Sequence, residues 1–446
     1  MGAFNMRMYD IIYKKRFGGE LSNEEIKFFI NGYVSGEVAD YQASALLMAI
    51  CISGMTARET AALTMAMAYS GRVADLSSIK GVKVDKHSTG GVGDTATLIA
   101  VPLAAACGAK VAKMSGRGLA HTGGTIDKLE SIPGFNAERS IPEFIDIIKR
   151  VGAAVISQSA ELAPADKKLY ALRDVTAAVD CVPLIASSIM CKKIAAGCDA
   201  VVLDVKAGRG AFMRDPESAF ALAKEMVDIG IMAGMAVTAI VTDMDEPLGS
   251  AVGNALEVME AVAALKGRLY HAPLWQVSRL LAQHMLIASG FAGENVDAMI
   301  GKAMESGAAC AKFREMIRVE GGDDTVLEDE GRFIHVSQKI PVLCPKEGYI
   351  QSVNAKRVGL AAMLLGAGRE KKEDRIDHSA GIILKKRAGD YAVVGEEIAL
   401  LYVNDEKNLP EAKEMVCSAF DISKEKPCPH TVVYGTVDKE GIHRFE

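Results

Sequence analysis

Two stretches of the sequence place Lys-x-Ser at the end of an apolar run and directly ahead of glycines. Lys86 and Ser88 lie in KHSTGGVGDT, and Lys113 and Ser115 lie in KMSGRG. Lysine ammonium groups, hydroxyls and free backbone N–H groups together suit the binding of a compact anion. Because the same pattern occurs twice, we interpret it as a phosphate-binding site rather than as two exposed turns.

The elements around these stretches predict where the two patterns would meet. From residue 81 onward, near-continuous apolar strands alternate with glycine-rich loops and helices, which is typical of a parallel sheet covered on both faces. Ligands of such sheets bind outside the carboxyl ends of the strands. If the two strands are neighbours, both lysines face one spot, where Thr97 and Thr125, near the starts of the following helices, would add hydroxyls.

The first glycine-rich loop has a second interpretation. GVGDTA at 91–96 fits the looser dinucleotide-binding pattern G-x-G-x-x-A between a strand and a helix. That pattern also requires an acidic residue near the end of the next strand, which here ends KMSG without a carboxylate. A P-loop is excluded because Lys86 precedes the glycines. Nicotinamide binding remains the less favoured alternative to phosphate.

Helix signals dominate the first seventy or so residues. Ser22–Glu25 and Thr56–Glu59 have capping-box spacing, and each precedes a helical apolar run, the second of which Gly71 can end. The whole chain predicts a small all-helical domain, a large α/β domain with a mainly parallel central sheet, and a C-terminal α+β domain. The predicted boundaries are 1–75 and 165–197 for the two parts of the helical domain, 76–164 and 198–340 for those of the α/β domain, and 341–446 for the C-terminal domain.

Composition excludes several classes of partner. The 446 residues carry a net charge of −6, which argues against a nucleic-acid or anionic-membrane partner. The nine cysteines are dispersed without a C-x-x-C pair, so a disulfide scaffold and a zinc site are both disfavoured, and a reducing cytoplasm fits best. The apolar stretches are too short to span a bilayer, and the first residues lack the apolar core of a signal peptide. We therefore expect a cytoplasmic protein.

One C-terminal stretch allows a different class of function. GDYAVVGEEIALL is similar to the hairpin of a lipoyl-type carrier domain. A carrier would need a lysine at the hairpin tip, whereas Lys385 and Lys386 precede the turn. We therefore favour a structural third domain and keep a non-catalytic binding or carrier module as an alternative.

A long motif carries a family resemblance. SGRGLAHTGGTIDKLES at 115–131, with KHSTGGVGDT, YALRDVT and IASSIMCKKIAAGCDAVVLDVK, resembles the thymidine and pyrimidine-nucleoside phosphorylases from about Met6 to the C-terminal domain. The resemblance implies an enzyme, a pentosyltransferase that reversibly cleaves pyrimidine nucleosides with phosphate to give the free base and (deoxy)ribose 1-phosphate. Anthranilate phosphoribosyltransferases share the general fold but lack the long motif, so phosphoribosyl transfer to an aromatic amine is the weaker alternative.

The resemblance also implies roles for individual residues. Arg173 and Lys192 match groups that stabilise the departing pyrimidine anion, and Ser188 matches a further base contact. His87 would lie near the base O2, either as a proton donor or as a polariser of the leaving group, and is counted as catalytic with Arg173 and Lys192. His121 is expected to brace its loop. The matching phosphate ligands are Lys86, Ser88, Thr97, Lys113, Ser115 and Thr125.

Further implications concern specificity, ions and assembly. Lys113 stands where thymidine-specific members have methionine, which implies a substrate range of uridine, thymidine and deoxyuridine, with thymidine specificity as the alternative. Arg209 stands where family members usually have small residues, and the sequence does not show whether this difference changes how its loop packs near the cleft. The family pattern implies a homodimer through the helical domain, phosphate as co-substrate and no organic cofactor. A structural K⁺ would be held by Gly93, Thr95, Leu248, Ala251 and Glu260.

Overall fold

The N-terminal helices begin where the sequence places their caps. The computed structural model describes residues 6–118, 123–157, 161–369, 371 and 374–445. Both predicted capping boxes are confirmed, since Ser22 accepts a hydrogen bond from the Glu25 N–H, Thr56 accepts one from the Glu59 N–H, and each glutamate binds back. The four helices are α1 (Met8–Arg16), α2 (Asn23–Ser35), α3 (Asp40–Ser53) and α4 (Ala57–Ala68).

The prediction that Gly71 ends the fourth helix was wrong. α4 ends at Ala68 and Tyr69 caps it. A Cβ atom at position 71 would lie 2.4 Å from the Glu161 carbonyl oxygen and 2.4 Å from Cδ of Pro164. Gly71 therefore permits two chain segments to approach closely, a requirement that local sequence does not reveal.

A seven-stranded sheet forms the core of the large domain. Its order is β14-β13-β5-β4-β1-β2-β3, and the five strands from β5 to β3 are parallel. These five strands are mostly buried, as expected of strands with helices on both faces, but β1 (KVDKHS) and β2 (KVAKMS) carry several charged side chains. The five are β1 (Lys83–Ser88), β2 (Lys110–Ser115), β3 (Ala153–Ser157), β4 (Ala200–Ala207) and β5 (Ala236–Asp243), and the two edge strands are β13 (Val433–Asp438) and β14 (Gly441–Arg444).

Most remaining helices cover this sheet, but two return to the N-terminal block. α8 (Pro164–Asp174) packs against α2, α3 and α4, and α9 (Val182–Ala195) packs against α4. The others are α5 (Ala96–Ala106), α6 (Thr125–Glu130), α7 (Ile141–Val151), α10 (Pro216–Met232), α11 (Asn254–Leu265), α12 (Pro273–Ala288), α13 (Gly293–Glu305), α14 (Ala308–Val319) and α15 (Glu330–Phe333), with a 3₁₀ helix at Asp324–Glu328. No helix in the described part of the chain is both long and apolar enough to cross a membrane.

Two small sheets and two helices make up the C-terminal α+β domain, so the predicted fold class is confirmed. The sheets have the orders β10-β8-β12 and β6-β9-β11-β7. Their strands are β6 (Ala251–Val252), β7 (Gln338–Leu343), β8 (Gly348–Val353), β9 (Gly381–Leu384), β10 (Tyr391–Ala392), β11 (Glu397–Val403) and β12 (Phe420–Ser423), and the helices are α16 (Ala355–Ala362), followed by a π-helical turn at Met363–Ala367, and α17 (Leu409–Cys417).

The chain crosses between the two sheet systems in both directions. β13 and β14 lie within the span 341–446 that the sequence assigned to the C-terminal domain, yet β13 pairs with β5 and extends the large sheet. Conversely, β6 belongs to a C-terminal sheet although it precedes position 341. Period-two alternation predicts a strand but not the sheet edge that the strand joins.

Candidate active site

The two Lys-x-Ser stretches lie side by side. β1 and β2 are parallel neighbours, with Lys83 opposite Lys110, so Lys86 and Lys113 are at equivalent places near the carboxyl ends. Nζ of Lys113 donates to the Lys86 carbonyl oxygen at 2.5 Å, and Nζ of Lys86 lies 3.3 Å from Oγ1 of Thr97. Both lysines are almost completely buried. The fold thus brings together three of the six predicted phosphate ligands through direct contacts.

The other three predicted phosphate ligands border the same edge of the sheet. Ser88 ends β1, and its hydroxyl donates to Oδ2 of Asp94 at 2.6 Å. Ser115 ends β2, while Thr125 is the first residue of α6. All three side chains are partly exposed. The position of His121 lies outside the described residues.

Buried charges surround the two lysines. Nζ of Lys193 lies 2.7 Å from Oδ2 of Asp85, and Nζ of Lys206 lies 2.7 Å from Oδ2 of Asp204. Lys86 also approaches Asp204, at 3.5 Å. A buried charge is tolerated when it is paired, so these aspartates allow several lysines to sit in the interior. Lys86, Lys113, Lys193 and Lys206 outnumber Asp85, Asp94 and Asp204, so an added anion would be favourable here when Lys113 is charged.

Burial changes how the ionisable groups at this edge titrate. Burial lowers the pKa of Lys113 to about 7, against the opposing effect of Asp85. Burial, reinforced by Lys193, Lys113, Lys192 and Lys86, holds the pKa of His87 well below its ordinary value. His87 is therefore a neutral imidazole at neutral pH, whereas Lys113 is divided between its charged and neutral forms.

The predicted base-binding residues come together on two helices of the helical domain. Nζ of Lys192 on α9 lies 3.3 Å from Oγ of Ser188, one turn earlier, and 2.9 Å from Oδ2 of Asp166 on α8. Burial would lower the pKa of Lys192, but Asp166 outweighs it and raises that pKa above the ordinary value. Lys192 therefore stays charged.

Arg173 has a more internal position than its neighbours. Its guanidinium donates to three backbone carbonyl oxygens, those of Ala178 at 2.8 Å, Leu184 at 3.0 Å and Val179 at 2.6 Å. These bonds join the end of α8 to the start of α9 and leave two of the five guanidinium N–H groups for other partners. Arg173 fixes the geometry of this helix pair whatever else it binds.

Three of the predicted potassium ligands, Gly93, Ala251 and Glu260, lie close together. Glu260 accepts hydrogen bonds from the Ser250 N–H at 2.7 Å and the Ala251 N–H at 3.2 Å, and burial raises the pKa of Glu260 to about 7. A Cβ atom at position 249 would lie 2.2 Å from Oε2 of Glu260 and 3.1 Å from the Gly93 carbonyl oxygen. Oxygen donors with one carboxylate fit a hard monovalent cation.

Two of the predicted potassium ligands have other partners. The Leu248 carbonyl oxygen accepts from Nη1 of Arg387 at 3.3 Å, and Oγ1 of Thr95 donates to Oε2 of Glu257 at 2.9 Å. Within the described residues, no group of three or more His, Cys, Asp or Glu side chains is placed to hold a metal ion. A cation here would therefore depend on backbone carbonyl groups.

Family models match most of the chain. A glycosyl transferase family α/β domain matches residues 80–310, a glycosyl transferase family helical bundle domain matches 9–71, and a pyrimidine nucleoside phosphorylase C-terminal domain matches 349–423. The pyrimidine-nucleoside phosphorylase of Geobacillus stearothermophilus is 50% identical over 434 residues, covering 97% of this chain and 100% of the relative. The chain belongs to the pyrimidine-nucleoside phosphorylase family.

A second member of the pyrimidine-nucleoside phosphorylase family gives the same result. The Bacillus subtilis (strain 168) protein of that name is 51% identical over 433 residues, covering 96% of this chain and 100% of the relative. Among solved structures, the anthranilate phosphoribosyltransferase of Thermus thermophilus superposes with a TM-score of 0.56 at 22% sequence identity. The match covers 70% of this chain and 99% of the anthranilate phosphoribosyltransferase chain. The latter likeness shows a shared fold.

Sequence reasoning missed the acidic partners of the site. Asp85 and Asp94 stand within or beside KHSTGGVGDT, and Asp166 pairs with Lys192 from a different helix. Sequence reasoning also missed Lys193, the last residue of IASSIMCKK, and Lys206, the last residue of VVLDVK. A lysine at the carboxyl end of β4, next to β1, was the available signal for Lys206.

Proposed function

We propose that this protein catalyses the reversible phosphorolysis of pyrimidine nucleosides, giving the free base and (deoxy)ribose 1-phosphate. The observation that carries the proposal is the pair of buried lysines, Lys86 and Lys113, on neighbouring parallel strands at an edge where lysines outnumber aspartates. Full-length relatives called pyrimidine-nucleoside phosphorylases support the same reaction.

Phosphate would be held by Lys86, Ser88, Thr97, Lys113, Ser115 and Thr125. One phosphate oxygen attacks C1′ of the sugar as the bond from C1′ to the base nitrogen breaks, and the bond electrons leave with the pyrimidine. Positive charge develops on the sugar ring as the bond to the base breaks and before the bond to phosphate is complete. An adjacent phosphate dianion therefore stabilises the transition state. Holding phosphate and nucleoside in one cleft also removes most of the entropic cost of bringing them together.

On the base side, cations and donors would receive the departing pyrimidine anion. Lys192 is charged and carries Ser188 beside it, and Arg173 lies on the neighbouring helix. His87 would approach the base from the sheet side. Because its imidazole is neutral, its N–H would polarise the base oxygen as a hydrogen-bond donor, in preference to delivering a proton from an imidazolium.

The substrate range should include uridine as well as thymidine and deoxyuridine, because Lys113 stands where thymidine-specific members have methionine. Phosphate-dependent release of uracil from uridine is the experiment that tests the proposal. Release of free base that needs no phosphate, or no release at all, would contradict phosphorolysis. Activity on thymidine alone would contradict the broad range and favour the thymidine-specific alternative.

The proposal also includes a homodimer and a cytoplasmic location. Tyr9 and Tyr13 on the exposed face of α1, and Phe17 directly after the helix, follow one another at helical spacing, with exposed fractions of 67%, 54% and 66%. Tyr9 stacks on Tyr13, which in turn contacts Phe17, so the three rings form one apolar stripe on the helical domain. This stripe supports a homodimer through the helical domain. Free cysteines and the chemistry of a nucleoside substrate support a cytoplasmic location.

A cation site is the last part of the proposal. Glu260, with the backbone at Gly93, Thr95, Leu248 and Ala251, would bind K⁺ and fix the first glycine-rich loop from behind. Bound K⁺ would neutralise the Glu260 carboxylate and hold the loop, while the reaction itself takes place at the opposite face of that loop.

A further inference from the structure

A carboxylate links the two ends of the second glycine-rich loop. Asp127 on α6 is almost completely buried, and its Oδ2 accepts the Gly118 N–H at 2.7 Å. A Cβ atom at position 124 would lie 2.0 Å from the Gly118 nitrogen and 2.5 Å from Oδ2 of Asp127, so Gly118 and Gly124 are in close backbone contact. Asp127 therefore sets the separation between the end of β2 and the start of α6.

The same carboxylate is held by an arginine from the C-terminal domain. Nη2 of Arg369 lies 2.9 Å from Oδ1 of Asp127, and the Arg369 side chain is only 16% exposed. Arg117 also approaches Oδ1, but at 3.5 Å, and its guanidinium is engaged by both carboxylate oxygens of Glu130. Arg369 is thus the principal cation on Asp127.

Arg369 is itself anchored to the large domain. It follows the π-helical turn at Met363–Ala367, and Nδ2 of Asn254 on α11 donates to the Ala367 carbonyl oxygen at 2.9 Å. This bond holds the backbone that leads to Arg369 against the α/β domain. The contact with Asp127 therefore joins α6 to the segment after the π-helical turn, 242 positions away in the chain.

We propose that Arg369 is a positioning residue for the phosphate site, an inference that rests on the proposed function. Its guanidinium holds the orientation of Asp127, Asp127 holds the Gly118 N–H, and this arrangement places Ser115 and Thr125 at either end of the loop. Without Arg369, the buried carboxylate would lose its nearest cation and turn away, which releases the Gly118 N–H. The phosphate side of the site would loosen while the base side on α8 and α9 would not.

The test compares Arg369→Ala and Arg369→Lys with Arg375→Ala, which removes an exposed arginine six positions further along. Phosphate and uridine KM, kcat and the midpoint of thermal unfolding are measured for each, and binding of inorganic phosphate is measured by calorimetry. We expect Arg369→Ala to raise the phosphate KM and Kd about tenfold, with the uridine KM and the saturated kcat within about twofold. Arg369→Lys should recover most of the loss, and Arg375→Ala should behave as wild type.

A double-mutant cycle separates this role from general destabilisation. In an Asp127→Asn background, Arg369→Ala should have little further effect on phosphate affinity, because its target is already neutral. An unchanged phosphate KM in Arg369→Ala, equal losses in phosphate and uridine KM, or additive effects in the cycle would each overturn the inference. If Arg369→Ala fails to fold, Arg369→Gln replaces it in the same comparisons.

Different results would contradict the proposed function and the positioning role of Arg369. A wild-type protein that binds inorganic phosphate but releases no uracil from uridine would contradict the phosphorylase proposal, whereas the calorimetric comparison would still test Arg369. A wild-type phosphorylase whose phosphate affinity is unaffected by Arg369→Ala would contradict only the positioning role.

Discussion

At the scale of single residues, Lys86, His87 and Lys113 occupy the carboxyl ends of two neighbouring strands, where burial controls how His87 and Lys113 ionise. The neutral imidazole of His87 and the partly deprotonated ammonium of Lys113 both follow from desolvation in a site with several lysines. Perturbed groups of this kind are common where a protein binds or transforms an anion.

His87 is predicted to act through its N–H. His87→Ala should lower kcat about 10²-fold, since it removes a donor to the leaving base. His87→Asn keeps an N–H donor without an ionisable group and should restore part of this loss. Steady-state kinetics with uridine at saturating phosphate measure both variants. Equal impairment of the two variants would argue for proton transfer instead, and near-normal turnover of His87→Ala would remove His87 from the mechanism.

Lys113 is predicted to make phosphate capture depend on pH. The free enzyme has a Lys113 pKa of about 7, so the ammonium is present below that pH and lost above it. The kcat/KM for phosphate should therefore fall as the pH rises from 6 to 8, because this parameter reports ionisations of the free enzyme. Lys113→Met should lack this component. Phosphate ionises identically in both assays, so parallel profiles for the two proteins would contradict the assignment.

At the scale of secondary-structure elements, the two capping boxes contribute differently to stability because one is exposed and the other is buried. Glu25 and Glu59 are both the glutamate of a capping box, at the third residue of the helix. Glu25 pairs with Lys14, whose side chain is 41% exposed, whereas Glu59 pairs with Lys15 at 2.7 Å and both side chains are buried. Burial would raise the pKa of Glu59, but hydrogen bonds from the Leu21 N–H and from Lys15 outweigh it and keep that pKa below its ordinary value.

Glu59→Ala should therefore destabilise the protein far more than Glu25→Ala. Removing Glu59 leaves Lys15 buried without its carboxylate, which costs about 3–5 kcal/mol. Removing Glu25 costs about 1 kcal/mol, the usual value of a cap. Urea unfolding of both variants measures the difference. The Glu59 contribution should be present above pH 4.5 and be lost as the pH falls through its lower folded-state pKa. Equal effects of the two substitutions would contradict the role of burial.

The potassium proposal joins α11 to the first glycine-rich loop and is testable without an activity assay. Without K⁺, the Glu260 pKa of about 7 leaves the carboxyl mainly protonated below neutral pH and mainly ionised above it, so the proton and K⁺ compete for one carboxylate. Potassium chloride should raise the unfolding temperature above that in choline chloride, and more at pH 8 than at pH 5.5. Glu260→Gln should abolish the difference. A K⁺ effect that persists in Glu260→Gln would place the ion elsewhere.

At the scale of the whole molecule, the predicted homodimer depends on the aromatic stripe of Tyr9, Tyr13 and Phe17. Tyr13→Asp places a charge at its centre and should convert the dimer to a monomer, since an uncompensated charge in an apolar interface is costly. Light scattering after size exclusion measures the mass against 47.4 kDa for one chain. Val394→Asp, at a site 66% exposed in the C-terminal domain, is the control. A wild-type monomer, or a dimer that survives Tyr13→Asp, would contradict this interface.

Local residue patterns are sufficient to predict the capped helices, the strands and the chemical class of the site. Capping boxes at Ser22 and Thr56, apolar strands, and glycines after Lys86 and Lys113 depend on interactions within a few residues, so they can be read locally. The repeated Lys-x-Ser indicated an anion, and the pairing of β1 with β2 is the arrangement that it required.

The side chains that neutralise the site and hold it in place become evident from the folded structure alone. The contacts of Lys192 with Asp166, Lys193 with Asp85 and Asp127 with Arg369 join positions 26, 108 and 242 residues apart. The same is true of β13, which leaves the C-terminal domain to join β5. Local periodicity and motif spacing carry no information about such pairings, because they are set by which surfaces meet when the domains pack.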